Sequence, residues 1–405
     1  MTEGAYLDYA ATTPLDPRVA RAMAHFQGPE ANFANPASPH PAGRSAAAAI
    51  ASAQAQVLEA VGAEGYRLTW TSGATEADNL AIVGLARALA KRNRSRHRIL
   101  VCATDHSAVL AAARATREYG FEVVSLSVEA DGRLDFAALD AQLDESVALV
   151  SVSQVNNETG VIQDVAAISA RVTECGALMH VDAAQSAGRI DFNARAMGVD
   201  LVSLSAHKFY GPNGIGALCH HPDVRLEPLI VGGGQQAGLR SGTLPVALIV
   251  GMGEAFRLTD DQAERARQRA LQTQLCDQLG DLGAVVLNGR RDGSAHVLNV
   301  SFAGVHGAAL QSALADFAVG FGSACSSAQG PSHVLRAMQR PDALAHAAVR
   351  LSLGRFTQPA HIDEAVGLIR EVVNELRASS PVWREIKQGQ SVADVYGVTT
   401  TLEFA

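Results

Sequence analysis

The chain has 405 residues, 48% of them hydrophobic and 18% charged, which supports two domains with separate cores rather than a disordered chain. A formal net charge of −8 argues against a nucleic-acid or anionic-membrane partner. The opening MTEGAYLDYAATTP has no basic segment followed by an apolar one, and no apolar run is long enough to span a bilayer, so the sequence reads as soluble and cytoplasmic.

In chain order, the alanine-rich stretch 44–62 predicts a helix. Short apolar runs then alternate with amphipathic segments, the pattern of βα units around a mostly parallel sheet. The strands are predicted at 66–71, 98–103, 121–128, 147–155, 177–183 and 199–206, with helices over 75–92 and 165–176. A glycine-rich turn, 211–214, separates the last of these from a further strand at 215–219. A long helical segment, 253–282, is expected to join this α/β body to an α+β one with strands at 296–304, 317–324 and 349–354, the boundary lying near residue 258. Cys102, Cys175, Cys219, Cys276 and Cys325 are scattered and odd in number, which argues against a disulfide framework or a metal cluster.

Ligands bind outside the carboxyl ends of the strands of an open parallel sheet. Ser72-Gly73-Ala74-Thr75 lies between a strand and a helix, where backbone N–H groups, the helix dipole and the Thr75 hydroxyl can cradle an anion such as phosphate. The next strand ends carry His106, Asn156 and Asn157, Asp182 and Gln185, then Ser205, His207 and Lys208. A phosphorylated pyridine aldehyde needs such a set. A lysine forms the Schiff base, a carboxylate keeps the ring nitrogen protonated, and a cradle anchors the phosphate. Lys208, Asp182 and the turn Ser72–Thr75 suit these three roles, and His106 suits the ring face.

These residues resemble the pyridoxal-phosphate-dependent cysteine desulfurases of the class V aminotransferase group. The stretches that carry the resemblance are YLDYAATTP, NPASPH, TSGATEADNLAI, VNNETGVIQD, HVDAAQSAG, SAHKFYGPNGIGAL, GGGQQAGLRSGTLP, GSACSSAQGPSHVLRAM and VRLSLGRFT, in the family order from residue 6 to about 357. The resemblance implies a type I aminotransferase fold: a large cofactor domain, 16–258, beside a small domain made of 1–15 and 259–405, in a homodimer. It implies that Lys208 is the Schiff-base lysine, Asp182 faces the pyridine nitrogen, Gln185 bonds the ring hydroxyl and His106 stacks on the ring. Thr75, Ser205 and His207 would hold the phosphate, and Thr243 would reach the partner subunit's phosphate. Asn157 and Arg350 would take the substrate carboxylate.

Cys325 sits in GFGSACSSAQG, a loop of small residues with little to pack and the freedom a travelling nucleophile needs. The implied reaction takes L-cysteine to L-alanine, with Lys208 moving the α-proton and the Cys325 thiolate taking the sulfur as a persulfide for an acceptor thiol. The loop resembles that of the iron–sulfur-assembly and nitrogenase-type desulfurases more than the short loop of the selenocysteine-favouring branch. A selenocysteine lyase or an aminotransferase on the same fold is the alternative, and a non-catalytic scaffold has no need of a Schiff-base lysine. The tail, 387–405, does not resemble that of the housekeeping members, so the acceptor stays open among iron–sulfur scaffolds and thiolation enzymes for tRNA or DNA. The basic run KRNRSRHR (91–98) reads as a solvated turn, the glycines of VGGGQQAG (231–238) as tight turns near the cofactor, and Asp260 and Asp261 as helix-start or surface charge.

Overall fold

The apolar runs form two sheets in the computed structural model, which describes residues 4–92, 95–259, 262–321 and 330–397. The larger contains β1 (Arg67–Thr71), β2 (Arg98–Cys102), β3 (Glu122–Leu126), β4 (Val147–Ser153), β5 (Leu178–Asp182), β6 (Leu201–Ser205) and β7 (Gly216–His220). Their spatial order is β1-β7-β6-β5-β4-β2-β3. β7 runs antiparallel to both neighbours and all other pairings are parallel, so the carboxyl ends of β1, β2, β4, β5 and β6 share one edge.

The helices that position this edge are α1 (Pro17–Ala24), α2 (Pro41–Ala60), α3 (Ala74–Ala90) and α4 (Ser107–Ala115). α2 starts a turn earlier than its alanine run suggests, because Pro41 occupies the first turn and His40 Nδ1 accepts the Gly43 N–H at 3.2 Å. Side chains alternate between the two faces of each strand. On one face Val150, Val152, Met179, Val181, Val202 and Leu204 share a core with α1, α2 and the helix Val246–Arg257. On the other, Leu149, Leu201 and Leu218 pack with α3 and α4. Further along that second face the buried side chains turn polar, to Ser151, Ser153, His180, Asp182, Ser203 and Ser205. Apolar burial holds the sheet, and its polar end builds the site.

The smaller sheet has the order β10-β9-β8, all antiparallel, with β8 (Val285–Leu287), β9 (Val297–Phe302) and β10 (Ala348–Ser352). Its core joins Val300, Phe302 and Leu351 to Leu271 and Leu275 of the helix Gln262–Gly280, to Ile362, Val366 and Ile369 of Pro359–Ala378, and to Leu7. Leu7 is stitched in by its backbone, donating to Ala318 O at 2.9 Å and accepting from Ser352 N at 2.7 Å.

Two expectations change. The segment 253–282 is two helices, Val246–Arg257 and Gln262–Gly280, with Leu258 and Thr259 non-helical between them. Phe256 belongs to the first core and Leu271 to the second, so one straight helix cannot serve both, and the Thr259 hydroxyl caps the break by donating to Phe256 O at 2.6 Å. The strand at 317–324 reduces, within the described residues, to single bridges at Ala318 and Gly320. Gly320 exchanges both backbone hydrogen bonds with Arg350, at 2.9 and 2.8 Å, and its lack of a side chain permits the approach, since a Cβ would lie 2.6 Å from Arg350 Nε. β8 has only three residues, too few for a periodic pattern to reveal it in the sequence.

The basic run is largely paired. Lys91 bonds Glu227 at 2.6 Å, Arg96 donates to Val147 O and Cys175 O, and Arg98 pairs with Asp144; Asn93 and Arg94 lie outside the described residues, as do Asp260 and Asp261. The tail folds back as far as Gly397: Val392 packs with Val286 and Leu344, and the Tyr396 hydroxyl accepts the Gly304 N–H at 2.8 Å.

Candidate active site

A cavity of about 440 Å³ opens at the carboxyl edge of the large sheet. It gathers Ser72, Gly73, Ala74, Thr75, His106, Asn157, Asp182, Gln185, Ser205, His207, Lys208 and Arg350 from six separate stretches of chain. Asn156 is not among them. It is buried beneath, donating to Thr104 O and accepting the N–H groups of Glu158 and Thr159. Thr243 is exposed and does not line the cavity of this chain. Cys325 lies outside the described residues.

The cradle is the start of α3. Its N-cap, Gly73, offers no side chain, so the first-turn N–H groups are left for a ligand. Gly216 on β7 must be glycine for this turn to sit on the sheet, since a Cβ there would lie 2.4 Å from Leu204 O and 2.6 Å from Gly73 Cα. Glu76, in the first turn, accepts the Ser72 N–H at 2.7 Å and is paired by Arg240 at 2.9 Å. Burial alone would raise the Glu76 pKa, but the hydrogen bonds from Arg240 and Ser72 leave it lowered. Arg240 follows the glycine-rich loop 231–238, which grips the β1 edge through Gln236: its Oε1 accepts the Trp70 N–H at 2.7 Å and its Nε2 donates to Trp70 O at 3.0 Å.

Lys208 follows β6, and its ammonium donates to Ala10 O and Ala11 O, each at 2.8 Å. His106 caps α4, its Nδ1 accepting the Ala108 N–H at 3.2 Å, which leaves the ring proton on Nε2. Asp105 braces this corner by accepting the N–H groups of Ser153 at 2.7 Å and Cys102 at 3.0 Å. Asp182 accepts the Ala184 N–H at 2.9 Å. Burial raises the Asp182 pKa, against the opposing pull of that N–H group, His106 and Lys208. Burial lowers the His106 pKa and brings His207 down to about 4, with Lys208 adding to the His207 shift. Arg350 reaches Asp8 Oδ1 at 2.7 Å and Asn157 O at 3.0 Å.

One layer deeper, His180 is fully buried between Ser151 Oγ at 2.8 Å and Ser203 Oγ at 2.9 Å, and burial depresses its pKa to about 3. The unfolded chain binds a proton here from about pH 6.5 downward and the folded chain does not until about pH 3, so His180 makes stability fall as pH falls through that window. We expect His180→Gln to flatten the acid side of a thermal-midpoint-against-pH profile. An unchanged slope would remove His180 as a source of acid lability.

The residues at this edge match a known family. The family model described as Aminotransferase class-V matches residues 5–364. Cysteine desulfurase IscS of Vibrio cholerae serotype O1 (strain M66-2) is 47% identical over 391 residues, covering 95% of this chain and 96% of that protein. The chain belongs to the class V aminotransferase family, among its cysteine desulfurases. Among solved structures, a NifS-like protein superposes with a TM-score of 0.84 at 32% identity, covering 92% of this chain and all of that one. SspA in complex with cysteine superposes at 0.77 with 32% identity, covering 87% of this chain and all of that one.

Cysteine desulfurases of this family use pyridoxal 5'-phosphate, and the cavity fits it. An uncapped helix start meets a phosphate's charge, Lys208 supplies the amine, and the buried Asp182 carboxyl calls for a cation of the kind a protonated pyridine offers. The sequence did not single out Asp8, Asp105, Gln236, Arg240 or the carbonyls of Ala10 and Ala11. Backbone acceptors leave no mark in a side-chain pattern, and Asp8 and Asp105 act on the site through Arg350 and Ser153, which lie far away in the chain.

Proposed function

We propose that this chain converts L-cysteine to L-alanine and passes the sulfur, as a persulfide on Cys325, to an acceptor thiol. The observation that carries this reading is the convergence of Lys208, Asp182, His106 and Arg350 on one cavity at the end of the parallel sheet. The bound cofactor supplies an electron sink for the carbanion formed at the substrate α-carbon. Lys208 is the amine that carries the α-proton, and the two carbonyls it touches aim it. Asp182 holds the ring nitrogen protonated and Gln185 meets the ring hydroxyl. His106, with its proton on Nε2, covers the ring face. Ser72, Gly73, Ala74 and Thr75, with Ser205 and His207, hold the phosphate. The Cys325 thiolate attacks the substrate sulfur: an S–S bond forms as the substrate C–S bond breaks, the bonding pair left on the β-carbon takes up one proton, and return of the α-proton to the α-carbon completes alanine.

Asn157 and Arg350 take the substrate carboxylate. A lysine cannot present the two-pronged guanidinium, so Arg350→Lys is expected to raise KM for L-cysteine about tenfold or more, with a smaller change in kcat. Steady-state kinetics at saturating cofactor checks this, and an unchanged KM removes Arg350 from substrate binding.

The bodies 16–258 and 1–15 with 259–405 act as large and small domains, and two chains form a homodimer in which each Thr243 reaches the partner subunit's phosphate. A strictly monomeric active enzyme in light scattering would remove that role. An iron–sulfur scaffold or a thiolation enzyme is the acceptor, in the cytoplasm, with no direct nucleic-acid contact. No helix among the described residues is long and apolar enough to cross a membrane. The cysteine held by the SspA structure supports L-cysteine as substrate. The deciding experiment quantifies alanine and sulfide from holoenzyme given L-cysteine and a reductant. Equal amounts support the reading, and pyruvate in place of alanine overturns it. Preference for selenocysteine, or amino transfer to an oxo acid, would favour the selenocysteine lyase or the aminotransferase instead.

A further inference from the structure

His296 stands just before β9, in the smaller body, yet its buried imidazole reaches the cofactor cavity's wall. Its Nε2 lies 3.2 Å from Gln185 Oε1, and its Nδ1 lies 2.5 Å from Ser294 Oγ. Gln185 in turn donates from Nε2 to Ala10 O at 2.8 Å, the same carbonyl that accepts from the Lys208 ammonium.

Hydrogen-bond logic fixes every member of this chain. Ala10 O can only accept, so the Gln185 amide must turn its NH2 toward it and its Oε1 toward His296. Oε1 can also only accept, so the imidazole proton sits on Nε2, and Nδ1 accepts the Ser294 hydroxyl proton. The imidazole is 1% exposed. Burial and the surrounding cations Arg189, Arg350 and Lys208 hold it neutral, which keeps Nδ1 free to accept. With one amide hydrogen on Ala10 O, the Gln185 NH2 keeps a second for the cavity that Gln185 lines.

We propose that His296 is a positioning residue for Gln185, locking its amide so that an N–H rather than the carbonyl oxygen faces the ring hydroxyl of the cofactor. The inference rests on the reading above that Gln185 meets that hydroxyl. It also gives the smaller body an indirect hold on the cofactor's electronics, exerted through Gln185. A flipped amide would set oxygen against an anionic ring oxygen, and a loose one would donate only part of the time.

The test uses full-length holoenzyme and the pH titration of the visible absorption of bound pyridoxal phosphate. An N–H donated to the ring oxygen favours its anionic form, which lowers the titration midpoint. His296→Leu cannot donate to Oε1, and its midpoint should rise by about one pH unit, the scale of a single hydrogen bond. His296→Gln carries an N–H at similar reach and should return toward the wild-type midpoint. A leucine variant that titrates like the wild type overturns the proposal. The wild type alone supplies a second check, because histidine nitrogen shifts in 15N-labelled protein report the tautomer. A His296 proton on Nδ1 overturns the proposal whatever the variants do. If wild-type protein binds pyridoxal phosphate without a Lys208 Schiff base, the reading of the cofactor site fails instead, and the tautomer result still decides the His296–Gln185 contact.

Discussion

Holoenzyme carrying Cys325→Ser is expected to lose production of alanine and sulfide from L-cysteine by at least about a thousandfold while keeping its bound cofactor. A serine hydroxyl is far less ionised at neutral pH than a thiol and is a poor nucleophile toward sulfur, so the S–S bond cannot form. None of the four described free cysteines lines the cavity, so they offer no substitute. Burial raises the Cys102 and Cys219 thiols to about 12 and Cys276 to about 11, and Cys175 caps the end of the helix Val165–Glu174. Cofactor retention, followed by visible absorption, separates a chemical defect from a folding one. If the variant turns over L-cysteine at the wild-type rate, the persulfide route fails and the selenocysteine lyase and aminotransferase readings gain.

Lys208→Ala should be as severe and differ in kind. It removes the amine that both holds the cofactor and carries the α-proton, a combination worth about a thousandfold or more. The two carbonyls that orient the ammonium, Ala10 O and Ala11 O, would lose a charged donor in the cavity wall. The measurable signature is loss of the absorption that depends on covalent attachment, together with loss of all turnover. Added primary amines should restore part of the rate, because a small amine can occupy the volume the side chain vacates. Wild-type turnover in this variant would remove Lys208 from the chemistry.

Chain order and residue type were enough to foresee the alternation of strands and helices, because hydrophobic periodicity is local and the large sheet is buried on both faces. They were also enough to bring Lys208, Asp182, His106, Gln185 and the Ser72–Thr75 turn to notice, since each is a polar group where an apolar run stops. The resemblance to the desulfurases added Thr243, Arg350 and the role of Cys325, none of which periodicity marks.

The tertiary structure decided the rest. The break at Leu258 and Thr259 depends on two cores pulling one helical sequence in two directions, which a local pattern cannot contain. The order β1-β7-β6-β5-β4-β2-β3 sets which strand ends are neighbours, and thereby which polar residues meet. Contacts that hold the site cross long stretches of chain: Arg350 to Asp8, Arg240 to Glu76, His296 to Gln185. Each joins groups that only folding brings within hydrogen-bond distance. The chemistry available to this protein is already present in the chain, since reactivity belongs to residue types. The tertiary structure decided their alignment, because hydrogen-bond direction, burial and the distance between charges exist only once the chain is packed.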